Sequence, residues 1–245
     1  MDTELIERIA DAVRGARRIA VLSGAGISTA SGIPDFRSAG GLYSDSRNVN
    51  VFDLAAFQRD PSLFYGFARE FYPRVLSAQP NKAHRVLAEW ERRGKEVRIA
   101  TQNIDDFHQR AGSTNVYPVH GTFATSTCQD CFRQVPSREI EATVRSGGIP
   151  HCECGGVYKP DITFFGELLP EEAWTSSVRV ISEAELLLVV GTSLLVYPAA
   201  SLPEYRRTSC GVIVLNRDPT GLDSSADVVC HDELTTILSA VDDAL

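Results

Sequence analysis

The chain has 245 residues, 43% hydrophobic and 23% charged, enough apolar material for one large core with a small lobe attached. Its formal net charge of −8 argues against a protein whose main task is gripping DNA or an anionic membrane, since both need a basic surface. The longest apolar run, Leu186 to Val190, is far too short to cross a bilayer.

Leu5, Ile6, Ile9 and Val13 recur at helical spacing, so the chain opens on an amphipathic helix that ends near Gly15. Acids among the first residues make this segment neither a signal nor a transit peptide, and a cytoplasmic location is expected. An apolar β-like run, Ile19 to Leu22, enters Ser23 to Ser38, SGAGISTASGIPDFRS, where Gly24, Gly26 and Gly32 imply positive φ or a close backbone approach. Strand, glycine turn and helix is how α/β proteins offer free N–H groups to a phosphate; the plain alternative is a tight turn with no ligand. Pro34-Asp35-Phe36-Arg37 then sets an aromatic and a cation in a loop too polar for core, a pattern of ligand contacts. Residues 39–50 show no period and read as a loop beside that site. Two or three helices are expected between Asp60 and Trp90, broken at Pro73 and restarted at Pro80-Asn81.

Val97 to Thr101 is a second strand, running into Gln102-Asn103-Ile104-Asp105-Asp106 at the strand end where open parallel sheets bind ligands. An N-cap would explain one aspartate but not Gln102 and Asn103. A third strand, Val116 to Val119, ends at His120-Gly121, and His120 is there either for packing or for chemistry. Cys128-x-x-Cys131 and Cys152-x-Cys154 then bracket a stretch with little core potential, the pattern of short strands and a helix folded on zinc. Four thiolates leave no open position, so a structural ion is expected; His151 is a competing ligand.

After Lys159 the chain passes through Pro160-Asp161-Ile162-Thr163-Phe164-Phe165-Gly166-Glu167 to a helix beginning at Pro170-Glu171. Leu186 to Val190 is a buried parallel strand ending in Gly191-Thr192-Ser193; Gly211 to Leu215 is another, ended by Asn216-Arg217-Asp218. Val228 to Cys230 is the last strand, before a C-terminal helix. The predicted fold is therefore α/β: a Rossmann-like parallel sheet with helices on both faces, built from residues 1–121 and 160–245, plus an inserted zinc-ribbon lobe at 122–159. One dinucleotide lying across the strand ends would touch all the polar clusters.

GAGISTASGIPDFR, TQNIDDFHQRAG, VHG, the two cysteine pairs, FFGE, GTSLLVYPAA and LNRDPT together, in that order, resemble the sirtuins, the NAD-dependent protein deacylases. The resemblance implies NAD as cofactor, one structural Zn2+ held by Cys128, Cys131, Cys152 and Cys154, and an acyl-lysine peptide bound as a strand. Gly24, Ala25, Gly26, Asp35, Phe36 and Arg37 would meet the cofactor. Gln102 would reach the ribose, and Ile104 with Asp105 the nicotinamide carboxamide. Gly191, Thr192, Ser193, Asn216, Arg217 and Cys230 would hold the phosphate and adenosine end. Ile162, Thr163, Phe164, Phe165 and Gly166 on one side, with Leu194 and Val196 on the other, would bind the peptide.

The implied chemistry is attack of the acyl oxygen on the ribose carbon that carries nicotinamide. His120 then acts as general base on a ribose hydroxyl, with Asn103 ordering the site, and O-acetyl-ADP-ribose and free lysine are released. Sirtuins that take succinyl-type groups carry a Tyr-x-x-Arg pair on the helix before the Pro-Asn; Ala68 and Phe71 stand at those positions here, so acidic acyl groups are expected to be poor substrates. The alternatives are an NAD hydrolase or mono-ADP-ribosyltransferase on the same fold, or a non-catalytic NAD sensor. Expected partners are acetyl-lysine proteins or peptides, with no direct nucleic acid and no membrane, and the expected state is monomeric.

Overall fold

A computed structural model describes residues 2–35 and 50–245. In chain order the elements are α1 (Thr3–Gly15), β1 (Arg18–Ser23), α2 (Leu54–Arg59), α3 (Ser62–Ser77), α4 (Lys82–Arg92), β2 (Glu96–Thr101), α5 (Phe107–Ala111) and β3 (Val116–Pro118). There follow β4 (Gly121–Cys128), β5 (Gln134–Pro136), α6 (Ser137–Arg145), β6 (Tyr158–Ile162), α7 (Glu171–Glu183), β7 (Leu186–Val190), β8 (Gly211–Leu215), β9 (Val228–Cys230) and α8 (Leu234–Asp243).

Six strands pair in the order β3-β2-β1-β7-β8-β9, all parallel. Their sequences are nearly continuous apolar runs because both faces are covered. Alternate residues serve opposite cores: Ile19, Val21, Leu186, Leu188 and Ile213 pack with α1, α4 and α8, whereas Ala20, Leu22, Leu187, Val189 and Val212 pack with α7. Asp2 caps α1 by accepting from the amides of Glu4 and Leu5, and Trp90 Nε1 donates to Asp242 at 3.0 Å, tying α4 to α8.

The second sheet is antiparallel, in the order β5-β4-β6, and carries the cysteine pairs. It shares its core with α3: Phe64, Tyr65, Phe71 and Tyr72 pack with Phe123, Val135, Tyr158 and Phe164. Pro73 does not break α3 as the sequence predicts. The buried face Ala68, Phe71, Tyr72 and Val75 straddles the proline, and that packing outweighs the roughly 3 kcal/mol an interior proline costs.

The glycine stretch also departs from expectation. Ala25–Ser31 is a 3₁₀ helix rather than an α-helix, and it closes at Gly32 with φ 86°. Its start is pinned against the turn that follows β7: Gly24 N donates to Val190 O at 3.0 Å and Gly26 N to Gly191 O at 2.8 Å. A Cβ on Gly24 would lie 2.6 Å from Thr192 Cβ, and one on Gly26 2.8 Å from Gly191 Cα. The close backbone approach announced by the glycines is therefore between two turns of the protein itself.

Gly191 is the tightest position, with φ 63° and a Cβ that would sit 2.4 Å from the Ile27 amide. Gly191→Ala is expected to lower stability by about 3 kcal/mol or more in urea denaturation, while Gly66→Ala, in open space on α3, is expected to gain about 0.5–1 kcal/mol. Equal small effects would contradict the turn-on-turn contact.

Candidate active site and metal centre

β1 and β7 are neighbours in the sheet, so the chain leaves their C-terminal ends toward opposite sides and opens a crevice there. A cleft of about 910 Å³ fills it, floored by the Gly24–Gly26 and Gly191–Ser193 turns and walled by Gln102–Ile104, His120, residues 162–169, 195–198 and 216–221. The backbone N–H groups of Ala25, Thr192 and Ser193, all at the lining, have no acceptor among the described residues. Amides converging at strand ends are what an anionic phosphate group needs.

Polar side chains below the floor form one connected set. Ser28 Oγ donates to Asp105 Oδ2 at 2.7 Å and accepts from Asn103 Nδ2 at 3.1 Å. Asn103 is buried, and its Oδ1 lacks a partner among the described residues, so an acceptor stands ready at the cleft for a ligand hydroxyl. Asp105 also accepts from the Phe107 amide at 3.2 Å, which makes it a cap for α5, while Asp106 makes no capping bond. Burial pushes Asp105 up to about 6, against the pull of Ser28 and the Phe107 amide. His84 joins from α4, with Nδ1 accepting from the Asn81 amide and Nε2 3.5 Å from Ser28 Oγ. Burial drives it down to about 2, so it is neutral.

His120 Nδ1 donates to the Gln102 carbonyl at 2.9 Å. That bond fixes the tautomer and leaves Nε2 as the lone-pair nitrogen. Burial lowers the His120 pKa, the Gln102 carbonyl partly opposing it. Gln102 Nε2 donates to Thr192 Oγ1 at 2.9 Å and links the β2 and β7 ends.

Of the residues singled out in the sequence, Gly24, Ala25, Gly26, Asp35, Gln102, Asn103, Ile104, His120, Gly191, Thr192, Ser193, Asn216 and Arg217 all line this cleft. Ile162, Thr163, Phe164, Phe165, Gly166 and Val196 do so too. Phe36 and Arg37 lie outside the described residues. Cys230 does not line the cleft: its side chain is buried in the α1–α8 core, and only its carbonyl reaches the site's edge, accepting from the Asn216 amide at 3.1 Å. Leu194 adopts a positive φ of 54°, which turns its side chain onto the α7 core and leaves Leu195 at the wall. Asp105 stands one layer behind, reaching the cleft through Ser28 and Asn103.

The peptide-side wall holds residues that sequence reasoning missed. Lys159 is buried, with Nζ 2.8 Å from both the Glu167 carboxylate and the Ile162 carbonyl and 4.2 Å from the Phe164 ring centre. Glu167 in turn accepts from the Phe164 amide at 2.6 Å, so the pair fixes the loop that presents Phe164. Phe165 pairs with residues 52–54 through Phe165 N to Phe52 O, 2.7 Å, and Leu54 N to Phe165 O, 3.0 Å. Gly166, Leu195 and Tyr197 make no backbone hydrogen bonds among the described residues, which leaves donors and acceptors on both walls for an added strand. The only signal of the missed pair was a lysine and a glutamate bracketing an apolar run.

Ligand atoms of Cys128, Cys131, Cys152 and Cys154 all lie within 4.8 Å of one another, with Cys128–Cys154 and Cys131–Cys152 sulfurs 3.5 and 3.6 Å apart. Backbone amides of Cys131 and Asp130 hold the Cys128 thiol below its usual value, favouring thiolate. The short Cys152-x-Cys154 spacing works because Gly155, at φ 94°, turns the chain with its amide on the Cys152 carbonyl at 2.9 Å. His151 Nδ1 is instead within 3.0 Å of the Gly155 carbonyl. Four converging sulfurs fit one tetrahedral zinc with no vacant position, hence a structural ion.

A parallel sheet with a crevice at its switch point and a four-cysteine lobe beside it define an α/β nucleotide-site protein with a structural metal centre. Residues 24–198 match the Sir2 family model, and the chain belongs to the Sir2 family. An NAD-dependent protein deacetylase of Clostridium perfringens (strain 13 / Type A) is 38% identical over 246 residues, covering 97% of this chain and 98% of that protein. A Sir2 structure with a deacetylated p53 peptide and 3'-O-acetyl ADP ribose superposes with TM-score 0.91 at 37% identity, over 97% of each chain. Another, of Sir2 with a p53 peptide and NAD+, gives 0.88 at 36%, again over 97% of each.

Because Cys128 and Cys152 share a core with Phe71, Phe123 and Tyr158, metal loss is expected to loosen the peptide-side wall as well. Cys131→Ser is expected to take bound zinc from one per chain to near zero by elemental analysis after dialysis against chelator, with loss of near-UV circular dichroism. Retention of a full equivalent of zinc would contradict the four-sulfur site.

Proposed function

We propose that the protein is an NAD-dependent protein-lysine deacetylase that moves an acetyl group from lysine to ADP-ribose, acting on cytoplasmic acetyl-lysine proteins. The observation that carries this reading is His120. One ring nitrogen is committed to the Gln102 carbonyl and the other keeps its lone pair, in the same cleft as Asn103 Oδ1 and three backbone amides that have no partner among the described residues. NAD would supply a ribose carbon that accepts the acyl oxygen, with nicotinamide as leaving group.

The chain's own groups do the rest. Ala25, Thr192 and Ser193 amides would hold the phosphates, and Asn103 Oδ1 would accept from a ribose hydroxyl or an ordered water. His120 Nε2 would take the proton of the ribose hydroxyl that attacks the acyl carbon. The peptide would add as a strand between Gly166 and the Leu195–Tyr197 wall, its acyl-lysine stem running past Phe164 toward His120. Its membership in a family with deacetylase-named relatives supports the same assignment.

His120→Ala is expected to lower kcat/KM for deacetylation by about 10²–10⁴-fold. A variant within tenfold of the parent would overturn the base role. The neutral ring is the active form and burial lowers its pKa, so activity is lost as pH falls through a value below the ordinary 6.5 or so. A kcat/KM limb centred above that value would contradict the buried tautomer.

Acyl preference follows from charge. Ala68 and Phe71 are buried in the aromatic core, Phe71 stacked on Phe67, and Arg217 is the only lysine or arginine lining the cleft among the described residues. It pairs with Asp35 at 3.8 Å. A succinyl carboxylate would find no unpaired lysine or arginine among the described residues of the lining, so acetyl-peptide is expected to exceed succinyl-peptide in kcat/KM by on the order of 100-fold. Comparable rates would contradict this.

A further inference from the structure

Two stretches wall the nucleotide end of the cleft, residues 216–221 after β8 and residues 232–234 after β9. His231 lies between them in the chain and joins them in space. Its Nδ1 is 2.7 Å from the Asn216 carbonyl oxygen and its Nε2 is 3.1 Å from Asp223 Oδ2. A carbonyl and a carboxylate can only accept, so only the imidazolium satisfies both contacts.

Asp223 is built into the loop. It accepts from the Thr220 amide at 3.1 Å and from the Thr220 hydroxyl at 2.6 Å, while Asn216 Nδ2 donates to the Asp218 carbonyl at 2.7 Å. Burial works to raise the Asp223 carboxyl, but the Thr220 hydroxyl and amide and the His231 ring outweigh it and hold it below the usual carboxylate value. The other charged groups nearby are engaged elsewhere: Glu233 caps α8, Arg8 of α1 donates to the Asp227 carbonyl, Asp227 accepts from the Val212 amide, and Arg217 pairs with Asp35. Asp232 follows His231 directly, and its carboxylate accepts from the Glu233 amide at 2.7 Å.

We propose that His231 is a positioning residue: it clamps the 216–223 loop to β9 and so sets how tightly this end of the cleft holds a nucleotide. The inference rests on the NAD reading above. The carboxylate of Asp223, held below its usual value, is the acceptor at one side of the ring, and the Asn216 carbonyl is the acceptor at the other.

ADP-ribose binding to the whole protein, by titration calorimetry at neutral pH, tests it without any chemical step. The readout is the ratio of parent to His231→Gln affinity, expected to favour the parent about two- to fivefold, the size of a partly exposed ion pair. Asp223→Asn should cost the same part, the double variant should lose no more than either single one, and the peptide KM should not move. Equal affinities of parent and His231→Gln, or additive losses in the double variant, would overturn the clamp. Absence of ADP-ribose binding by the parent would instead bring down the nucleotide reading on which the clamp stands.

Discussion

The cleft depends on one contact, the backbone of the turn after β1 lying against the backbone of the turn after β7. Gly24 and Gly26 meet Thr192 and Gly191 at distances no side chain would allow, and Gly191 must take a positive φ to let them. Closing the two turns on each other uses the Gly24 and Gly26 amides on Val190 and Gly191 carbonyls, and it leaves those of Ala25, Thr192 and Ser193 without acceptors among the described residues. The unpaired donors of the site are thus a consequence of the sheet's topology.

Around that contact, buried polar groups hold the reacting edge in place. Ser23 donates to Thr101 at 2.8 Å and lies 2.9 Å from His108, while Ser28 joins Asn103 and Asp105. Burial holds His108 down to about 4 and keeps it neutral, as it does His84, so both imidazoles act as fixed hydrogen-bonding parts. Low local dielectric makes each of these bonds costly to break, and Asn103 is the member with spare capacity at the cleft. Rigidity below and an open acceptor above suit a site that must hold a ligand in one orientation.

The large sheet was legible in the sequence because strands buried on both faces read as plain apolar runs, Leu186 to Val190 most clearly. The cysteine pairs were legible for the same reason of fixed spacing. What could not be read was allegiance: helical periodicity in residues 62–77 shows a buried face, but nothing local says that it packs on the zinc lobe and not on the large sheet. The glycines announced a close approach without naming Gly191 as the partner. The side chains of Leu194 and Cys230 do not line the cleft that their chain positions suggested, because position along the chain does not say which way a side chain turns. A positive φ sends the first onto the α7 core, and strand alternation buries the second. Lys159 and Glu167 escaped notice because a single buried ion pair leaves no period in the sequence.

A cleft that moves an acetyl group from lysine to ADP-ribose, as proposed, breaks the nicotinamide bond only with an acyl-lysine peptide in place. The most direct measurement is nicotinamide release from NAD by the purified protein, with and without an acetyl-lysine peptide. Release is expected to require the peptide and to match deacetylated product one for one. Release at the same rate without peptide would contradict the proposal and favour an NAD hydrolase or ADP-ribosyltransferase.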